Sequence, residues 1–331
     1  MPSLGKSQTI AVFGGSGMVG ASILRHLKLS GYSNLLAPRR ADVDLFDFKS
    51  TLNWLKATCP DVVVMAAALV GGINSNKSQP ADFLLQNLSI HTNVIHASWK
   101  SGVKVFLLIG SSCVYPRNAS QPMVENELLS GSLEPSSEFY ALAKISAIKL
   151  CEALRVQYSF NAYTLISSNM YGPGANYNPF SSHVLHSFIR RFHMAKVNNV
   201  SAVYCWGTGN SIREFTHVDD FADACVLCIE KLDLILSNST SGFGAPVAPF
   251  INIGTGTEIS IKELASIVAS VVGYNGEIFW DHTKPDGAPR KVLDNSRITS
   301  LGWSPKILLL DGVAHVYEDF KAGLSNNSLR L

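Results

Sequence analysis

The sequence predicts an α/β fold: a doubly wound parallel sheet with a smaller second domain behind it. Three observations carry that expectation. Short apolar runs alternate with helical patterns through the first half of the chain. The first of those runs leads directly into a glycine-rich turn and then a helix. After Pro173 the alternation breaks, and residues 174–182 read as a loop rich in Gly, Asn and Pro.

The opening strand is Thr9-Ile10-Ala11-Val12-Phe13. It runs into Gly14-Gly15-Ser16-Gly17-Met18-Val19-Gly20, which fits both Gly15-x-Gly17-x-x-Gly20 and Gly14-x-x-Gly17-x-x-Gly20. A helix from Ala21 to about Leu29 follows, with a stop at Gly31. Glycines permit the tight turn and let the backbone approach a pyrophosphate at the helix N-terminus, the Rossmann arrangement. The second strand ends near Leu35-Leu36-Ala37, where an NAD site carries an acidic residue for the ribose. Here Pro38-Arg39-Arg40 stands instead, and guanidinium groups suit the 2′-phosphate of NADP. Residues 42–45, including Asp44 and Leu45, read as the adenine edge.

Further βα units come in order. Asp61–Met65 is a strand leading into Ala66-Ala67-Ala68, small enough for a cofactor to lie close. A helix near 82–100 precedes the strand Val103–Ile109, which delivers Gly110 and Ser111. The next helix runs from about Tyr140 to Tyr158, and a strand over Asn161–Ile166 ends in Ser167-Ser168-Asn169-Met170. All these segments place their polar residues at the carboxyl ends of strands, where open α/β sheets bind ligands. The expected division is 1–173 for the dinucleotide domain, with parts of 210–255 returning to it, and 174–331 for a substrate domain. In the latter, Val184 to about Lys196 reads as a helix, 217–230 contains another, and 236–248 as a surface loop.

The chemistry centres on Ser111 and on Tyr140-Ala141-Leu142-Ala143-Lys144. Tyr-x-x-x-Lys on a helix puts phenol and ammonium on one face, one turn apart. The ammonium favours phenolate and should draw the phenol below its usual value of about 10. Such a phenol donates a proton, and a Ser just beyond a buried strand hydrogen-bonds a substrate carbonyl.

Composition excludes other classes. A net charge of +2 over 331 residues implies no strong field for nucleic acid or anionic membrane. No stretch of about 18 apolar residues occurs, so no membrane span is expected, and residues 1–9 do not read as a signal peptide. The six Cys show no disulfide spacing, and Cys225-x-x-Cys228 lies in a helical pattern better read as core packing than as a redox or metal site. A reducing cytoplasm fits.

Ser111, Tyr140 and Lys144 resemble the working parts of the short-chain dehydrogenase/reductase family. The extended branch is approached more closely by Val70–Ile73, Pro80–Phe83, Gly110–Pro116, Gln121–Met123, Leu133–Pro135, Tyr140–Cys151, Arg190–His193, Arg213–Asp220 and Lys284–Gly287. These strings, spanning about residues 10–305, resemble the GDP-L-fucose synthases, which are GDP-4-keto-6-deoxy-D-mannose 3,5-epimerase-4-reductases. The resemblance implies Ser111, Tyr140 and Lys144 as the reductase triad, and Cys113 and His183 as the acid/base pair for epimerisation. It implies NADP contacts at Gly14, Gly15, Ser16, Gly17, Met18, Val19, Gly20, Arg40, Ile109, Gly110, Ser111, Ser112, Lys144, Ser167, Ser168, Asn169, Met170 and His183. It implies GDP-sugar contacts at Arg191, Trp206, Arg213 and Asp286. One departure stands in the glycine loop, where the family usually reads Gly-His-Arg-Gly and this chain reads Gly14-Gly15-Ser16-Gly17. A thiol ionises near 8.5 and needs lowering to act as a base, which a cationic neighbour such as His183 would supply.

Three rival expectations remain at this level. One is a nucleotide-sugar dehydratase or 4-epimerase, which usually carries an acidic pair where Ser112-Cys113-Val114 stands. Another is a GDP-4-keto-sugar reductase for a different deoxysugar or a heptose. The third is a non-catalytic NADP sensor, which usually lacks the Tyr/Lys pair. A homodimer built on the helices near 82–100 and 140–158 is also expected, from apolar residues on more than one face, such as Ala141, Ile145, Ile148, Leu150 and Leu154.

Overall fold

A computed structural model of the protein describes residues 5–231, 235, 250–284 and 286–331. The strands run β1 (Ile10–Phe13), β2 (Leu35–Leu36), β3 (Val62–Met65), β4 (Val105–Ser111), β5 (Ala162–Ser167), β6 (Asn169–Tyr171), β7 (Ala202–Trp206), β8 (Ile212–His217), β9 (Phe250–Ile253), β10 (Glu258–Ser260), β11 (Glu277–Asp281) and β12 (Arg290–Lys291). The helices are α1 (Met18–Leu29), α2 (Phe48–Thr58), α3 (Ile73–Ser78), α4 (Pro80–Ser101), α5 (Glu138–Tyr158), α6 (Val184–Val197), α7 (Val218–Glu230), α8 (Ile261–Val272), α9 (Ser296–Ser300) and α10 (Leu309–Ser325).

A six-stranded parallel sheet in the order β2-β1-β3-β4-β5-β9 forms the larger body. Its strands are apolar on both faces because both faces are covered. Alternation splits them: Ala11, Phe13, Val63, Met65, Phe106 and Leu108 pack in one core with Ile90, Val94, Ile145 and Ile148 from α4 and α5. Ile10, Val12, Val62, Val64, Val105 and Leu107 face the other core, with Ile23 and Leu27 of α1 and Phe221 of α7. Cys225 and Cys228 lie in that second core, wholly buried, and burial pushes the Cys228 thiol up to about 12. They pack as small hydrophobes.

The helix ends follow local chemistry. Asp47 caps α2 by accepting from the Lys49 amide at 2.8 Å. Pro80 opens α4 and Gly102 closes it at φ 83°. Ser260 and Glu263 form a reciprocal capping box on α8.

Chain beyond Pro173 contributes to both bodies. α6, α8 and α10 enclose a third core with Phe188, Phe192, Leu264, Val268, Val316 and Phe320, against the parallel pair β7 and β11. β8 ties the bodies together, pairing with β6, β10 and β12. α7 and β9 belong to the larger body, and so do Ile298 of α9 and Trp303, a later return that the sequence did not suggest.

Other departures from expectation are local. α1 starts at Met18, three residues before Ala21, so Met18, Val19 and Gly20 form its first turn. α2 and α3 were not foreseen, although Asp47 is a legible cap. The loop expected over 236–248 lies outside the described residues.

Leu329 and Arg330 form a strap. Leu329 packs against α10, where a Cβ on Gly323 would lie 2.6 Å from it, and the Tyr177 amide donates to the Arg330 carbonyl at 2.8 Å. The Arg330 guanidinium then crosses to the larger body, contacting Gly174 O at 3.4 Å and standing 4.0 Å from where a Gly17 Cβ would be. Among the described residues no helix is long and apolar enough to cross a membrane.

Candidate active site

Ser111 is the last residue of β4, rather than a loop residue beyond it. The chain then turns through one 3-10 turn, Ser112–Val114, because Val114 and Tyr115 bury themselves in the core. Cys113 therefore reaches the cavity from a turn and not from strand-like backbone. Its Sγ lies 3.1 Å from Ser111 Oγ, so the two side chains share one wall.

α5 brings Tyr140 to the same place, and Lys144 lies one turn further on. The ammonium stands 5.9 Å from the Tyr140 ring centre and donates to Ile109 O at 2.9 Å and to His91 Nε2 at 3.3 Å. The expected lowering of the phenol is not found. Burial, followed by the nearby Cys113, pushes Tyr140 well above its usual value. Lys144 itself is pulled by burial down to about 8.

His183 is the N-cap of α6 and contributes its backbone, not its ring, to the cap. Burial first, then the Lys291 ammonium, lowers its pKa and favours the neutral ring. This corrects the expectation that His183 is the cation for Cys113. The ammonium of Lys291 from β12 faces Cys113, Arg213 and Glu134 instead.

Ser111, Ser112, Cys113, Tyr140, Asn169, His183, Arg191, Trp206, Arg213 and Asp286 all line one cavity of about 680 Å³ between the two bodies. Arg191 donates to the Tyr204 carbonyl, and Arg213 to Ile212 O at 2.8 Å. Trp206 is 46% exposed, with the Lys284 ammonium 5.7 Å from its ring. Asp286 uses both oxygens structurally: Oδ1 accepts the Thr208 amide at 2.7 Å and Oδ2 the Thr208 hydroxyl at 2.9 Å. Gly207, at φ 77°, has no room for a Cβ beside that carboxylate, which would lie 2.2 Å away. Lys291 and Glu134 also line the cavity. Sequence reasoning missed them, and the only signal for Lys291 was a basic pair after Pro289.

The expected cofactor residues sit elsewhere along the sheet's carboxyl edge. Gly17 is the N-cap of α1, with no side-chain cap and no acidic residue in the first turn, so its amides are open to an anion. Gly14 (φ 84°) and Gly20 are packed against backbone: a Cβ would lie 2.6 Å from Ala67 N and 2.3 Å from Gly14 O respectively. Arg39 pairs with Asp42 at 3.5 Å, whereas Arg40 has no carboxylate within 4 Å among the described residues. Asp44 accepts the Phe46 amide at 2.9 Å, and Leu45 O takes a hydrogen bond from Asn93 at 3.0 Å. Ser167 donates to Gly110 O at 3.1 Å, Ser168 pairs with Thr216 at 2.6 Å, and Met170 packs on the second core.

Comparison with known proteins adds four likenesses. Residues 10–240 match the NAD dependent epimerase/dehydratase family. The chain is similar to GDP-L-fucose synthase 1 of Arabidopsis thaliana, 46% identical over 97% of this chain and 95% of the relative. It is also similar to GDP-L-fucose synthase of Escherichia coli (strain K12), 43% identical over 95% and 96%. Among solved structures it is similar to a GDP-mannoheptose C4 reductase from Campylobacter jejuni with NADP bound, at TM-score 0.86 and 34% identity, over 96% of this chain and 99% of that one.

Proposed function

The chain belongs to the NAD dependent epimerase/dehydratase family and, within it, to the GDP-L-fucose synthases; from that premise we propose that it converts GDP-4-dehydro-6-deoxy-D-mannose to GDP-L-fucose. The reaction is 3,5-epimerisation followed by reduction of the 4-keto group. The observation that carries this reading is one cavity lined by Ser111, Cys113, Tyr140 and His183 together with Arg191, Trp206 and Arg213.

The residues fit NADP(H). The open α1 amides of Met18 and Val19 suit its diphosphate, and Arg40, with Arg39, suits the 2′-phosphate. When bound, NADPH supplies the hydride for C4. Lys144 holds the ribose side of the site, and Ser111 hydrogen-bonds the 4-keto oxygen. Tyr140, kept as the protonated phenol by burial, gives its proton to that oxygen. The 4-keto group acidifies the protons on C3 and C5. Cys113 takes up each proton as the base, and His183, in the minor protonated form that its burial disfavours, returns one on the opposite face. Arg191 and Arg213 face the diphosphate, and Trp206 offers a ring for the base. Asp286 acts through Thr208, shaping the loop beside Trp206.

Residues 1–173, with α7, β9 and the α9 region, act as the cofactor domain, and the remainder of 174–331 as the substrate domain. The protein works in the cytoplasm as a homodimer. Ala141, Ile145, Ile148 and Leu154 are buried within the chain itself, so the dimer rests on other residues. Leu85 on α4 and Phe139, Leu142 and Val156 on α5 are exposed and apolar. Light scattering at micromolar protein should report about twice the 35.8 kDa chain mass; a monomer would remove the proposal.

A reductase that acts on a GDP-4-keto heptose without epimerising is the second reading, supported by the Campylobacter likeness. Incubation with GDP-4-keto-6-deoxy-mannose and NADPH in D2O, with NMR of the product, separates the two. GDP-L-fucose carrying deuterium at C3 and C5 supports the first. An unexchanged product supports the second.

A further inference from the structure

Lys144 is held on two sides. Its ammonium donates to Ile109 O at 2.9 Å and to His91 Nε2 at 3.3 Å. His91 comes from α4, is 1% exposed, and has no role in the steps above. Its neighbours fix its state. Burial, and then the Lys144 charge, keep the ring neutral. Nε2 faces an ammonium, which has donors only, so it must carry the lone pair. The ring proton is then on Nδ1, which has no hydrogen-bond partner within normal distance among the described residues, although the Ala67 backbone lies nearby. Ala67 in turn lies against Gly14 of the glycine loop. A line of contacts thus runs from Gly14 through Ala67 and His91 to Lys144.

We propose that His91 is a positioning residue for the reduction: with Ile109 O it seats the Lys144 ammonium, leaving its third N–H for the cofactor ribose and the Tyr140 side. A lysine side chain has about 2 kcal/mol of rotamer freedom to lose, and two fixed acceptors remove it before the cofactor arrives. Imidazole suits the place because its Nε2 accepts from the ammonium while the buried ring stays neutral. The titratable groups that face Lys144 are His91 from α4, Tyr140 on its own helix and Cys113 from the turn after β4. This inference rests on the reductase reading.

The test compares His91→Leu with His91→Gln, whose amide oxygen can accept from the ammonium. NADPH binding by fluorescence, steady-state reduction, and deuterium uptake at C3 and C5 are measured on each. In His91→Leu, kcat for reduction should fall at least ~30-fold and NADPH bind several-fold more weakly, while deuterium uptake stays within ~2-fold. The alkaline limb of kcat/KM for NADPH should move to lower pH, because the charged lysine has lost an acceptor. His91→Gln should recover reduction to within ~5-fold and return the limb. Equal damage in both variants, loss of uptake together with reduction, or no loss of reduction overturns the proposal. Should His91→Leu not fold, His91→Asn, too short to reach, takes its place against His91→Gln. Wild type that binds NADPH but leaves the GDP-sugar untouched counts against the function instead; the NADPH affinities of the variants then still read the Lys144 seat.

Discussion

Lys144→Met probes the buried ammonium in two independent ways. Burial pulls Lys144 from 10.5 to about 8 in the folded protein. The unfolded chain therefore binds its proton more tightly than the folded one. Below pH 8 this costs the fold about 3 kcal/mol, at about 1.4 kcal/mol per pKa unit. The cost fades as pH rises from 8 towards 10.5, once the folded form has given up the proton. Between pH 7 and 9 the wild type should thus gain about 1 kcal/mol relative to Lys144→Met, in which the group is absent. Near neutral pH the variant sheds the cost of the buried charge but leaves Ile109 O unpaired, a loss of about 1–3 kcal/mol, so the two proteins should differ little there. Urea titrations of both proteins at pH 7, 8 and 9 measure the difference, and other groups cancel in it. On the activity side, a group titrating near 8 goes from about nine-tenths to about one-tenth protonated over the same range. The kcat/KM of the wild type for NADPH should then fall about tenfold from pH 7 to 9. A stability difference that stays flat between pH 7 and 9, with no alkaline fall in kcat/KM, would refute the reasoning.

Cys113→Ser should cut deuterium uptake into the GDP-sugar by ~10²-fold or more while NADPH oxidation persists, and Tyr140→Phe should do the reverse; uptake at the normal rate in Cys113→Ser means that another residue is the base. Arg40→Ala should raise the KM for NADPH about tenfold and leave that for NADH unchanged, since a phosphate contact from an otherwise unpaired guanidinium carries about 1–2 kcal/mol; equal use of both cofactors by the wild type removes the premise. Gly20→Ala places a Cβ 2.3 Å from Gly14 O, a backbone atom that cannot swing away, so it should lower stability by about 2 kcal/mol or more and weaken NADPH binding; a melting temperature equal to that of wild type is the contrary result.

The parallel sheet was legible because its signal is local. Val62-Val63-Val64-Met65 or Phe106-Leu107-Leu108-Ile109 can hardly be anything but strands apolar on both faces. The cavity was legible through strings that resemble a family, which brought Ser111, Cys113, Tyr140, His183 and Arg213 together by number before any geometry was known. What the sequence hid was set by burial and by partners far along the chain. The phenol of Tyr140 goes up rather than down because of its burial, although Lys144 lies four residues away, its ammonium bound to Ile109 and to His91, 53 residues away. His183 is neutral and Lys291 is the cation beside Cys113, a pairing across 178 positions that no spacing rule reports. Asp286, a sugar contact by resemblance, lines the cavity and also holds Thr208, a partner 78 positions away. The late return of Trp303 to the first sheet's core is likewise a tertiary fact.

The strap at Leu329 and Arg330 bears on the order in which the molecule is finished. Chains leave the ribosome N-terminus first and begin folding as they emerge. β1, α1 and the glycine loop are made early, yet the guanidinium that stands over Gly17 belongs to Arg330, 313 positions later. The sheet's outermost strand, β9, and Trp303 also arrive late. The cofactor cleft therefore reaches its final shape only after Arg330 has been made. A chain cut before Leu329 would still hold every described strand of both bodies and yet leave the glycine loop without its cover.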